Sequence, residues 1–405
     1  MKLSDNLGRR GWRKSILGDY VALSNGKGIT SSQMGADKPI PVYGSGSIIG
    51  YTDKPLVFYD TIVIGRVGAC GTVQIAKAPC WISDNAMYVT QIKPGLDFHF
   101  LFFLLSYLRL GTLASRTTQP SLPQGPILNH DFLLPPLPVQ ERIVEILQKA
   151  DEIQRKRKEA MELVDKILPT LFLEMFGDPA TNPKGYERVT IGEVTTLVTS
   201  GYTPRGGARN YVTEGPLLLR SQNIQMLRLD LEDCVHLPEH IFRDMQRVHV
   251  RQGDVLLNIT GKGTAGRVAW VESSNLRAAV NQHVCIIRPK PDRIRSEYLA
   301  FILSTLPYQR IIENAPGSAQ SGFNQARVRA LEILVPPLPV QDAFVAQVRA
   351  LAAVRTKCLF ALDSIERGFE AMLTCAFTGE LTAEWEAANA EWIAKRQAVY
   401  GCEGG

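Results

Sequence analysis

The sequence predicts an α+β protein made by tandem duplication, with two α/β globular parts and two long helices that pair antiparallel. Three observations carry this reading. The hexapeptide Pro-Pro-Leu-Pro-Val-Gln occurs at residues 135–140 and again at 336–341, 201 residues further on. Each copy opens a run of about forty helix-forming residues, ending near Phe176 and near Phe377, at the same spacing of 201. Ahead of each copy lie short apolar runs punctuated by Gly and Asp, the pattern of strands joined by tight turns. Two identical hexapeptides at a fixed offset, with no insertion between them, mark an internal repeat.

The first globular part covers residues 1–134. Residues 56–59 (Leu-Val-Phe-Tyr), 61–64 (Thr-Ile-Val-Ile) and 71–75 (Gly-Thr-Val-Gln-Ile) read as strands. Residues 98–110 read as a buried helix, too short and too often interrupted by Ser106 and Arg109 to span a bilayer. Residues 117–125 form a Pro-rich loop before a last strand at 132–134.

Residues 135–180 form the first helical spacer. Ile143, Leu147, Ala150, Met161, Val164 and Leu168 fall on alternating steps of three and four, which is a heptad seam. The same series moved by 201 gives Phe344, Val348, Leu351, Leu362, Ile365 and Phe369 in a second spacer, residues 336–381. A further apolar row, Ile146, Ile153, Ala160 and Ile167, exists only in the first copy. So long a stripe exceeds what one small domain covers, which argues that the helices pair with each other. If a pseudo-twofold axis relates the copies, the second helix runs back along the first and the molecule is a dumbbell. At 1.5 Å per residue the spacer would be about 50–60 Å long.

The second globular part, residues 181–335, repeats the order of the first. Residues 254–259 align with 60–64 from the shared Asp, 266–268 with 71–73, Asn281 with Asn85, and 301–306 with 103–108. Elsewhere the two parts diverge, as loops do when a scaffold is kept and its surface is retargeted. Residues 382–405 form a tail without an assigned role.

Composition bounds the function. A chain of 405 residues holds two or three domains. Its net charge of +5 is compatible with a nucleic-acid partner. Seven cysteines scattered singly point to reduced thiols and against zinc or a disulfide framework. The polar, basic first twenty residues are not read as a signal peptide, so the cytoplasm is the expected location. Residues 261–266 match Gly-x-Gly-x-x-Gly, but another strand follows, so no helix N-terminus is offered to a pyrophosphate. The six histidines lack ligand spacing, and neither a nucleophile set nor a carboxylate cluster is visible. No catalytic residue, bound cofactor or metal is predicted.

Binding has the better case. Arg, Asn and Gln carry the donors and acceptors that read base edges, and Lys, Ser and Tyr reach phosphates. The candidates are Lys27, Arg66, Gln119, Ser121 and Gln124 in the first part. In the second they are Arg205, Arg209, Tyr211, Arg220, Gln222, Asn223, Lys262, Arg267, Ser321, Asn324 and Gln325. Any one of them, taken alone, is more often an ordinary solvated loop residue. The basic run at 155–158 (Arg-Lys-Arg-Lys) reads as the solvated face of the coil.

The doubled hexapeptide and long helix resemble the specificity (S) subunit of type I restriction-modification systems. So do the helix ends at residues 171–178 and 376–381, the segment Ile-Pro-Val-Tyr-Gly-Ser-Gly at 40–46, and Ser-Gly-Tyr-Thr-Pro at 200–204 with Leu-Arg-Ser-Gln-Asn at 219–223. The resemblance implies two target-recognition domains, each reading half of a split site on double-stranded DNA. It implies two methyltransferase (M) subunits docked on the spacer, and restriction/translocase (R) subunits joining them. S-adenosylmethionine, and ATP with Mg, would be bound by those partners. A coiled-coil scaffold or a DNA-binding adaptor outside a restriction system is the competing reading.

Overall fold

The computed structural model describes residues 10–115, 120–261, 263–313 and 323–402. The chain divides into two compact units, Met1–Glu159 with Phe360–Gly405, and Ala160–Leu359. The division falls inside both long helices, so each unit holds one globular part and a stretch of each helix.

In the first unit the order is β1 (Arg13–Ile16), α1 (Leu17–Tyr20), β2 (Val21–Asn25), β3 (Ile40–Tyr43), β4 (Ile48–Thr52), β5 (Thr61–Gly65), β6 (Val73–Ala76), β7 (Trp81–Ile82), β8 (Ala86–Ile92), α2 (Phe98–Tyr107), α3 (Gln124–Leu128), β9 (Asp131–Leu134) and α4 (Leu137–Phe176). The strands make a four-stranded sheet β2-β8-β5-β6, a three-stranded sheet β4-β3-β7 and the pair β1-β9. Central β5 is buried along its whole length, which is why it is a continuous apolar run. Residues 56–59, expected as a strand, are not one. Val57 makes a single bridge to Cys80, and Phe58 is 74% exposed. A run of bulky residues matches strand composition, yet no neighbouring strand is there to pair with it.

Helix α2 starts where Asp97 accepts a hydrogen bond from the Phe100 N–H at 2.8 Å. It stops at Tyr107, short of the expected Leu110, because Arg109 turns into the left-handed region at φ 46°. A short 3₁₀ turn, Leu110–Leu113, follows.

The Pro-rich hexapeptide then launches α4. Pro138 sits in the first turn, where its missing N–H leaves no helix bond unmade. Gln140 is fully buried. Its Oε1 accepts from the Asp97 N–H at 2.8 Å, and its Nε2 donates to Gly95 O and Pro135 O, each at 2.8 Å. One side chain therefore fastens the long helix to the loop that precedes α2.

The second unit repeats this plan: β10 (Glu187–Thr190), β11 (Thr195–Ser200), β12 (Val212–Leu219), β13 (Ile224–Gln225), β14 (Arg228–Leu229), β15 (Val235–His236), α5 (Glu239–Asp244), β16 (Val255–Asn258), β17 (Val268–Trp270), β18 (Ala278–Val280), β19 (Val284–Pro289), α6 (Ser296–Ser304), α7 (Leu306–Glu313), α8 (Gln325–Ala330), β20 (Glu332–Val335) and α9 (Leu338–Phe377). Its sheets are β11-β19-β16-β17, β15-β12-β18 and β10-β20, strand for strand the arrangement of the first unit. In both units the middle strand of the three-stranded sheet takes one antiparallel and one parallel neighbour. Helix α5 and the hairpin β13-β14 have no counterpart among the described residues of the first unit. Gln341, also fully buried, accepts from the Arg295 N–H at 2.8 Å and donates to Arg293 O and Pro336 O at 3.3 and 2.7 Å.

Hydrogen-bond register corrects two of the sequence alignments. Ile64 faces Met87 and Leu257 faces Cys285, one step before Gly65–Ala86 and Asn258–Val284 respectively. Ile64 is thus the equivalent of Leu257, whereas matching Asp60 to Asp254 would shift the strand by one residue and turn its faces over. Likewise Asn281 corresponds to Ser83, not Asn85. The Ala86 and Val284 N–H groups close the turn onto Ser83 O and Asn281 O at 3.0 and 3.2 Å.

Within each unit the two long helices run antiparallel. In the second unit Arg355 pairs with Asp165 at 2.8 Å, and Phe344 packs against Phe172 and Phe176. In the first, Lys158 pairs with Glu366 at 2.9 Å, while Ile143 and Leu147 share a core with Leu373 and Ala376. Asp165 and Glu366 are equivalents in the repeat, and each takes a cation from the opposing helix. Burial along the expected seam is graded. Ile143, Leu147, Phe344 and Val348 are at most 2% exposed and Met161 is buried, whereas Ala150, Val164, Leu168, Leu351, Leu362, Ile365 and Phe369 are half-buried. No helix among the described residues is long and apolar enough to cross a membrane.

The tail has a structure. It forms α10 (Ala383–Ala388) and α11 (Ala390–Cys402) and completes the first unit. Glu386, 4% exposed, accepts from Arg10 Nε at 2.8 Å, Trp12 Nε1 at 3.1 Å and Thr382 Oγ1 at 2.6 Å. Ile393 enters the core beside Trp12 and Phe377.

Two stability predictions follow from these contacts. Gln341→Leu strands one N–H and two carbonyls and should cost about 1–3 kcal/mol for each group that stays dry. Denaturant titration reads the total, and hydrogen exchange should show the Arg295 amide opening first. Glu386→Ala should cost about 1–3 kcal/mol and speed amide exchange in β1 while leaving β10 unchanged. Equal effects on the two strands would contradict the local role of the tail.

Candidate nucleic-acid interface

The sheet topology gathers loops at one end of each unit. Antiparallel β2, β8 and β5 place the end of β2, the β5–β6 loop and the β7–β8 turn side by side. The approach is close enough to dictate sequence. A Cβ on Gly26 would lie 2.1 Å from Ser83 O, and one on Gly201, its equivalent, 1.8 Å from Val280 O. Only glycine lets the chain pass there.

In the first unit this end holds four of the expected residues. Lys27 is exposed, and its carbonyl accepts from Trp81 Nε1 at 3.0 Å. Arg66 donates to Asp84 O at 3.2 Å, which lays its guanidinium along the β7–β8 turn. Gln124 donates to Asn25 Oδ1 at 3.0 Å, and Ser121 bridges to Val67. Gln119 lies outside the described residues.

In the second unit Arg205 and Arg209 are exposed around the 3₁₀ turn Gly207–Asn210. Gln222 is exposed at the start of the 3₁₀ turn that follows Arg220. Arg220 donates through Nη2 to Asp233 O at 3.1 Å. Arg267 donates to Gln225 Oε1 at 3.0 Å and to Gly263 O at 3.1 Å, tying the β16–β17 loop to the β13 hairpin. Four of these five side chains are arginines. Lys262 and Ser321 lie outside the described residues.

Several candidates serve the scaffold instead. Asn223 accepts from the Arg220 N–H at 3.0 Å and donates to Asp230 O at 3.2 Å, and at 1% exposure it is buried away from any ligand. Asn324 caps α8 by accepting from the Arg327 N–H at 3.0 Å. Gln325 donates to Ser200 Oγ at 2.9 Å. Tyr211 is half-buried against the core under β12. Asn, Gln and Tyr satisfy backbone as readily as bases, and sequence alone does not separate the two uses.

Sequence reasoning missed Gln225, Gln282 and His283, which the folded loops bring to the same end. Gln282 is exposed at the tip of the β18–β19 turn, and His283 Nδ1 lies 2.5 Å from Thr260 Oγ1. Nothing in their spacing signals this, because the partners lie in loops distant in sequence. Burial holds the thiols of Cys80 and Cys234 up at about 11 and that of Cys285 at about 12, so all three stay protonated near neutral pH. Among the described residues no group of three or more His, Cys, Asp or Glu side chains could hold a metal ion.

Comparison with known proteins agrees with this architecture. The model of the type I restriction modification DNA specificity domain matches residues 9–163 and 183–353, once per repeat. The chain is 27% identical over 146 residues to the type I restriction enzyme EcoprrI specificity subunit of Escherichia coli, covering 35% of this chain and 36% of that protein. It is 25% identical over 209 residues to the EcoKI specificity subunit of E. coli strain K12, covering 50% and 45%. These alignments thus span less than half of each relative. Among solved structures, the S subunit of a type I restriction-modification system from M. genitalium superposes with a TM-score of 0.57 at 16% identity, over 90% of this chain and 96% of that one. A chain from a study of assembly and conformational transition of the type I R-M system gives 0.55 at 18%, over 91% and 98%. These likenesses bear on the fold, and the family model, matched in both halves, decides membership: the chain belongs to the type I restriction modification DNA specificity domain family.

Proposed function

We propose that this chain is the non-catalytic, sequence-specific DNA-recognition subunit of a type I restriction-modification complex, acting in the cytoplasm. Each unit reads one half of a bipartite site in double-stranded DNA. The observation that carries this is one framework occurring twice with different polar side chains on the same loops. Arg66 and Asp84 stand at one loop end, Arg267 and Gln282 at the other. Backbone geometry fixes where a side chain is presented, and its donors and acceptors fix which base edge it fits.

The long helices supply the second half of the proposal. Apolar side chains remain exposed on them: Ile153 at 54%, Leu163 at 63% and Ile167 at 42% on α4, and Val354 at 45% and Phe360 at 71% on α9. Ile153 and Ile167 belong to the second apolar row, in which Ile146 is half-buried and Ile153, Ala160 and Ile167 are exposed. Two M subunits would cover these faces, one for each half of the repeat, and R subunits would join them. S-adenosylmethionine, ATP and Mg would be held by those partners, and this chain would hold none of them.

Methylation mapping in cells that carry the chain with its M subunits tests the reading. Replacing residues 1–134 with the equivalent part of another family member should change one half of the methylated motif and leave the other intact. Changes in both halves would mean that the units do not read separately. The double variant Ile153→Glu/Ile167→Glu should fold normally, since both side chains already face water, yet lose most of its M subunit on co-purification. Full retention would place the docking surface elsewhere.

A further inference from the structure

Gln282 stands at the tip of the β18–β19 turn, on a base that does not move with its side chain. Asn281, buried, receives the His283 N–H on Oδ1 at 3.1 Å and donates its own N–H to Leu219 O at 3.0 Å. The Gln282 amide is held at both ends. Thr203 Oγ1 donates to its Oε1, and its Nε2 lies 3.2 Å from His283 Nε2. His283 is fixed in turn by Thr260 Oγ1 at Nδ1. Thr203 and His283 thus hold the amide directly, and Thr260 holds it through His283.

A glutamine amide has two N–H donors and two acceptor lone pairs. His283 takes one donor and Thr203 fills one lone pair. One donor and one acceptor remain on an exposed side chain. That remaining pair matches the Hoogsteen edge of adenine, where N7 accepts and N6–H₂ donates. Turning the amide over would still leave one donor and one acceptor. The equivalent tip in the first unit is Asp84, also exposed, whose carboxylate only accepts. The same backbone position therefore presents different hydrogen-bonding patterns in the two units.

We propose that Gln282 reads an adenine in the half-site of the second unit, with Thr203 and His283 as its positioning residues. This rests on the DNA-reading function proposed above and names one of its base contacts.

Methylation mapping of the co-expressed complex tests it. In Gln282→Ala, one adenine of the second half-site should become degenerate, with its preference over other bases falling at least about fivefold. In Gln282→Glu, which offers acceptors only, cytosine should be favoured at that position. His283→Phe should weaken selection at the same base and at no other. The first half-site serves as the internal control for folding and should stay unchanged in all three variants. An unchanged second half-site, or one containing no adenine, overturns the assignment. So does loss of both half-sites, which would make Gln282 a residue of the fold. A wild-type complex that yields no bipartite motif would instead overturn the function on which the assignment rests.

Discussion

One buried amide in each unit sets the geometry on which the rest depends. Gln140 and Gln341 each accept from the N–H that opens the helix after the four-stranded sheet, and each donates to two carbonyls on either side of the joint. A glutamine is long enough to span from a helix's first turn to a neighbouring loop, and it carries donor and acceptor together. Neither Glu nor Lys could satisfy all three partners. The Pro residues ahead of it restrict the approach of the chain, so the helix leaves the globular part in one direction. Because the partners are backbone groups, the parts around the joint can change in sequence while the glutamine and the Pro residues that direct the chain stay the same in both copies.

The same logic separates framework from reading surface. Gly26 and Gly201 are fixed by the passage of backbone beneath them. Strand order and register are fixed by the cores under β5 and β16. The loop tips carry no such duty, and there the two units differ most. Asp84 and Gln282 occupy equivalent positions, and Arg66 and Arg267 lie on equivalent loops of the two units with different partners. A scaffold that immobilises the backbone while leaving the side chain free can change its ligand without changing its fold.

Much of this was legible in the sequence. The repeat, both forty-residue helices and strands β5, β6 and β9 followed from periodicity and from the fixed offset. Alignment inside the globular parts slipped by a residue or two because loops of different length break the offset, and a shared Asp is a weaker anchor than hydrogen-bond register. Arg66, Arg267, Gln124 and Lys27 do gather at one end of their sheets, whereas Asn223 and Asn324 turned out to serve the backbone. The tail was illegible for a plain reason. Two of the partners of Glu386, Arg10 and Trp12, lie more than 370 residues away.

That distant contact completes the repeat. In the second unit α4 passes to β10 through a covalent loop. There Lys184 donates to the last carbonyls of the helix, Glu174 O and Met175 O, and Tyr186 leans on Phe176. In the first unit the equivalent passage would run from α9 to β1, but those segments lie at opposite ends of the described chain. The tail fills the place of the loop: α10 and α11 follow α9, and Glu386 grips Arg10 and Trp12, just ahead of β1. Trp12 thus stands where Tyr186 stands, held by a carboxylate instead of a peptide bond. A covalent loop holds its strand without help from side chains. The carboxylate of Glu386 holds Arg10 and Trp12 only while the tail is folded against the unit. Of the two units, the first is therefore the one closed by non-covalent contacts.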